Sequence, residues 1–108
     1  MAFAPQPILG HVRGFNIPGG SISGWQELSP ALVGITDQDI LDTWKRRAWF
    51  AVMSPTALLL TFTDPALGIP NTDILIGQAD EYHHFYTGGH VWINTDSFGD
   101  DVYVVYGY

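Results

Sequence analysis

Three of the four histidines gather at His83, His84 and His90, and imidazole is both the commonest metal ligand and a general base near neutral pH. In an extended segment His83 and His84 point to opposite faces and cannot share an ion. On a hairpin His83 and His90 share a face but sit at opposite ends. Asp96, Asp100 and Asp101 around Gly99 offer hard oxygen ligands of the kind calcium takes. Their spacing is not that of a helix-loop-helix calcium loop, and aspartates favour turns for local reasons. Asp80-Glu81 would work as paired catalytic carboxylates only if both faced one cleft, which neighbours in a strand do not. Ser21-Ile22-Ser23-Gly24 lacks a nucleophile elbow, and Gly19-Gly20 leads to no Gly-Lys-Ser/Thr of a phosphate-binding loop. These residues predict no catalytic, cofactor or metal set: a non-enzyme without a cofactor, its histidines half-exposed on strands and paired with rings.

The elements that would carry such residues are bounded by composition. A chain of 108 residues makes one domain, here residues 1–108, and can bury a real core without disulfides. It contains no cysteine, which removes thiol chemistry and thiolate metal sites while leaving the compartment open. The formal charge of -7 repels phosphate backbones and anionic membranes, so nucleic acid is not an expected partner. Lys45-Arg46-Arg47 reads as a solvated or acid-pairing patch. No basic, apolar leader opens the sequence, and the uncharged run 48–63 is too short to span a bilayer and is broken by Pro55. A soluble chain without membrane insertion is expected.

The pattern is all-β, or β-rich with one short helix, and fits an antiparallel sandwich or barrel-like domain. Residues 1–35 are dense in Gly and Pro, a Gly/Pro-rich arm or extended segment with strands at 8–16 and 22–28 and a turn at Pro18-Gly19-Gly20. A helix is expected over 37–47, capped by Thr36 with Asp39 and carrying Ile40, Leu41 and Trp44 at helical spacing. Trp49 to Met53 and Ala57 to Thr63 read as a hairpin across Ser54-Pro55-Thr56. A short buried strand follows at 74–78. Tyr82 to Thr87 and His90 to Asn94 read as a second hairpin around Gly88-Gly89. After a turn at 96–100, Val102, Val104 and Tyr106 alternate with Tyr103 and Val105 in a last strand.

Four Trp, five Tyr and six Phe are a heavy aromatic load. Rings bury much area at small entropic cost and are enriched at interfaces and on sugar platforms. Gly88-Gly89-His90-Val91-Trp92-Ile93-Asn94, then Gly99-Asp100-Asp101-Val102-Tyr103-Val104, together with Trp49-Phe50 and Thr61-Phe62-Thr63, loosely resemble the small β-rich accessory proteins of tailed-phage virions. The resemblance covers about the last 60 residues and carries no diagnostic motif. It implies a capsid decoration or head-associated protein, located in the virion, that binds its own copies and a larger protein lattice; no functional residue carries over. Trp25, Trp44, Trp49 and Trp92, with Tyr82 and Tyr86, are the candidate interface anchors. A first alternative is a carbohydrate-binding β-sandwich with Trp92, Tyr82 and Tyr86 as a stacking platform. A second is a cupin-like metal-dependent enzyme, since His90 and Asn94 match the His-x-x-x-Asn fragment of the second cupin motif, although the preceding Gly and Pro spacing and the His-x-His are missing.

Overall fold

A computed structural model describes residues 11–20, 24–55, 58–67, 74–76 (backbone only), 81–94 and 101–108. The chain is all-β with one short helix, an antiparallel sandwich of two four-stranded sheets. The strands are β1 (Val12–Ile17), β2 (Trp25–Glu27), β3 (Trp49–Met53), β4 (Leu58–Thr61), β5 (Ile74–Ile76), β6 (His83–Phe85), β7 (Trp92–Asn94) and β8 (Val102–Gly107). One sheet has the order β1-β8-β3-β6 and the other β2-β7-β4-β5. The alternation expected in the last strand is met: Val102, Val104 and Tyr106 are buried, while Tyr103 is exposed. β8 sits in the middle of its sheet, pairing with β1 on one side and β3 on the other.

A two-sheet sandwich needs an apolar inner face from each sheet, meeting in one core. Phe15, Ile17, Phe50, Val52, Val104 and Tyr106 from the first sheet and Leu58, Leu60 and Ile93 from the second belong to a single buried cluster, joined by Leu28 and Trp44. Trp44 arrives on the helix α1 (Gln38–Lys45), where Thr43 and Trp44 are the buried residues. Its ring stands edge-on to Phe15 and Tyr106, with centroids 5.6 and 5.2 Å away. The Tyr106 hydroxyl reaches Thr43 Oγ1 at 2.9 Å and the Ile40 carbonyl at 3.3 Å, tying helix to sheet.

The helix is where it was expected, but Thr36 is not its cap. Asp37 is the N-cap, its carboxylate accepting from the Asp39 amide; an Asp at this position satisfies an orphan N–H and also complements the positive helix end. Within residues 1–35, β1 and β2 are built into the two sheets. The segment between β2 and α1 adds a 3-10 turn over Pro30–Val33, ended by Gly34 in the left-handed region (φ 83°).

Both expected hairpins are corrected. β3 belongs to the first sheet and β4 to the second, and the same holds for β6 and β7. Among the described strands, β4 and β5 alone are consecutive in sequence and hydrogen-bonded to each other. Gly88-Gly89 is therefore a crossover between sheets. The glycine is required there by close approach: a Cβ on Gly88 would sit 2.9 Å from the Arg47 carbonyl oxygen. With the hairpin gone, the face that His83 and His90 would share goes too. His83 and Phe85 pair with Val52 and Phe50 on the inner side, whereas Val91 and Ile93 enter the core from the opposite sheet.

Candidate functional site

Alternation along each strand fixes what the first sheet shows on its outer side. With Phe15, Ile17, Phe50, Val52, Val102, Val104 and Tyr106 turned inward, the outward positions are Val12, Gly14 and Asn16 on β1, Tyr103, Val105 and Gly107 on β8, Trp49, Ala51 and Met53 on β3, and His84 on β6. No Asp, Glu, Lys or Arg occupies any of them. Val12 is 63% exposed and Tyr103 39%, whereas Ala51 and Gly107 are covered by their neighbours. Trp49 does the covering at Gly107: an added Cβ would fall 2.1 Å from its indole Nε1, and the three nearest heavy atoms all belong to that ring. On its other flank the indole leans on the His84 imidazole, centroids 5.7 Å apart. Asp101 ends the outward series with its carboxylate on Asn16; between the strand ends the face is mostly apolar and carries no charge, and such a face on a single domain marks a contact surface.

The expected anchors divide. Trp49 lies on this face, flanked by Tyr82 and the 81%-exposed Tyr86 just beyond the ends of β6. Trp25 and Trp92 are half-buried and outward on the other sheet, since the neighbouring pairs Gln26–Ile93 and Leu60–Ile93 face the core. Trp44 is corrected: at 5% exposure it is a core residue, placed there by the helical face it shares with Leu41. The sugar platform of Trp92, Tyr82 and Tyr86 is not assembled on one hairpin, because β6 and β7 lie in different sheets.

The histidines also separate. His84 lies tilted against Trp49, and His90 Nδ1 lies 2.6 Å from Glu27 Oε2. His83, in the other sheet from Asn94, has its Nε2 buried without a partner among the described residues. No group of three or more His, Cys, Asp or Glu close enough to hold an ion occurs among the described residues. Asp80, Asp96, Asp100 and the 21–23 serines fall outside them. Asp101 is described: its carboxylate accepts from the Gly19 amide and from Asn16 Nδ2 at 2.9 and 3.1 Å, and these bonds hold its pKa below the ordinary carboxylate value.

The basic run hides a second feature. Lys45 and Arg46 are exposed, but Arg47 is 95% buried. Its guanidinium lies 4.0 Å from the Trp44 ring centre and 5.4 Å from that of Phe50. It donates to the Trp44 carbonyl at 3.0 Å, near the helix end, and to the Gly89 carbonyl on the crossover. Its Nε has no acceptor among the described residues. Burial pulls its pKa down to about 10, and Glu27 acts the other way. Arg47 lines a cleft of about 530 Å³ between the end of β2, the 3-10 turn, α1 and the crossover, together with Glu27, Leu41, Trp44, Lys45 and His90. The signal for its burial was the ring three positions to either side, Trp44 and Phe50, at the end of an apolar helical face.

Among the described residues no helix is long and apolar enough to cross a membrane. Comparison with known protein families, with curated proteins and with solved structures returns no match to this chain.

Proposed function

We propose that the chain is a non-enzymatic assembly protein of the capsid-decoration kind, which packs the outer face of the β1-β8-β3-β6 sheet against a second copy and so populates a larger protein lattice. The supporting observation is that the strand positions of this face carry Val12, Met53, Trp49, Tyr103 and Val105 and no charged side chain, with the Asp101 carboxylate held on Asn16 at the strand end, in a chain of formal charge -7. Two copies meeting here bring together no charge but the Asp101 carboxylates at the rim of the face. Three strands of five to six residues and one of three give roughly 300 Å² of face per copy from standard strand spacing and rise. That is under half of the roughly 800 Å² per partner of a stable pairwise interface. The pair contact is accordingly weak alone and gains through multiplicity, as in a lattice where each copy is held at several points.

Sedimentation velocity across a wide concentration range tests this. The weight-average mass is expected to rise with concentration, and Tyr103→Asp or Val12→Asp, both at exposed positions that leave the core intact, are expected to return it to one protomer. A protomer mass that stays constant up to the highest soluble concentration refutes the reading.

A further inference from the structure

We infer that the cleft at Arg47 is a binding site for a small organic monocarboxylate with an apolar body. Arg47 supplies the recognition chemistry. It is a guanidinium taken out of water, with one bond from each terminal nitrogen spent on a backbone carbonyl and with no carboxylate of the described residues paired with it. Its Nε–H finds no acceptor among the described residues. Removing a charge from solvent is costly unless it is paired and fully hydrogen-bonded, and a planar carboxylate is the acceptor that a guanidinium fork fits best.

The electrostatics agree. Among the groups lining the cleft, Lys45 and Arg47 stand against Glu27, one net positive charge from these three, in a chain that is strongly negative elsewhere. Glu27 is itself engaged by His90. The presence of that carboxylate disfavours a dianion such as phosphate, while Leu28, Ala31, Leu41 and Trp44 line the cleft with hydrocarbon and one indole. One negative charge on an aryl or alkyl body matches both halves. Arg47 also holds the helix end to the Gly88-Gly89 crossover, so a bound ligand registers in the amides of that crossover. The site lies on different residues from the docking face and stands or falls independently of it.

The test is a ¹H–¹⁵N NMR titration of the intact chain with sodium benzoate at constant ionic strength, with benzyl alcohol as the neutral control. Benzoate is expected to give saturable shifts at the Gly88, Gly89 and His90 amides and the Trp44 indole, and benzyl alcohol is expected to give none. Lys45→Glu, at an exposed rim position, is expected to weaken benzoate about threefold, the scale of an exposed charge pair. Arg47→Met is expected to weaken it about tenfold or more, as for loss of a charge-assisted bond; if that variant does not fold, Lys45→Glu decides alone. Equal shifts with benzyl alcohol, shifts that remain linear to the solubility limit, or unchanged affinity in Lys45→Glu overturn the inference.

Discussion

Replacing Gly107 by Ala puts a methyl group where the Trp49 indole now rests. The three atoms nearest to the new Cβ, at 2.1, 2.4 and 2.8 Å, all belong to that ring, so no backbone need move and the indole must. Gly107 has an ordinary strand backbone with no positive φ, and alanine therefore meets no conformational penalty. Trp49 is half-buried. A displaced indole exposes about half of the 150–250 Å² that a large ring buries, roughly 100 Å², which at about 25 cal/mol per Å² costs ~2.5 kcal/mol. Alanine in a strand recovers ~0.5–1 kcal/mol over glycine. The net loss is ~1.5–2 kcal/mol, a fall in Tm of about 8 °C at about 5 °C per kcal/mol for a domain of this size. Calorimetry reads the Tm, and ¹⁹F NMR of 5-fluorotryptophan-labelled protein, with the Trp49 resonance assigned through Trp49→Phe, reads the ring. A Tm within a degree of the parent together with an unmoved Trp49 signal refutes the packing of the indole on Gly107, and with it the shape assigned to the outer face.

Tyr106→Phe removes a hydroxyl that is fully buried between Thr43 Oγ1 and the Ile40 carbonyl. It is expected to cost ~1–1.5 kcal/mol in urea unfolding and to be less than additive with Thr43→Val; strict additivity would mean that the two groups do not share a bond. Asp101 carries a pH signature. Its bonds from Gly19 and Asn16 favour the charged form in the folded state and depress its pKa below 3.8. The stabilisation is therefore complete above that value and lost as pH falls through the lower folded value. The stability gap between the parent and Asp101→Asn is expected to hold from neutrality down to the ordinary carboxylate range and close below it; a gap that persists unchanged into stronger acid contradicts the assignment.

Much of the local structure was legible and little of the pairing. Val102 to Tyr106 and the Ile40, Leu41, Trp44 face declare their elements because period-2 and period-3.6 burial are properties of a short stretch. Partner choice is not local. Trp49–Met53 and the strand after Ser54-Pro55 look like a hairpin, but β3 pairs with β8 and β6 while β4 pairs with β7 and β5. Gly88-Gly89 misleads in a specific way: the absence of a side chain that permits a tight turn equally permits the chain to pass the Arg47 carbonyl. Arg47 was hidden by its neighbours, since a run of three cations reads as surface unless the rings around one of them are counted. Trp44 was marked both as a helical-face residue and as an anchor, and burial selects the first.

β8 occupies the centre of its sheet, and Phe15 of β1 is matched to Val104, about 90 positions downstream. At ~5–20 residues per second of synthesis, β1 exists for ~5–20 s before its neighbour has been translated. Until β8 arrives, β1 and, once made, β3 lack the ladder that it supplies to both, and their bare backbone edges are free to zip onto those of other nascent chains. Completion of the sandwich thus waits on the last described strand, and the hazard in producing this protein is kinetic: crowded polysomes and rapid expression favour intermolecular pairing before the central strand arrives.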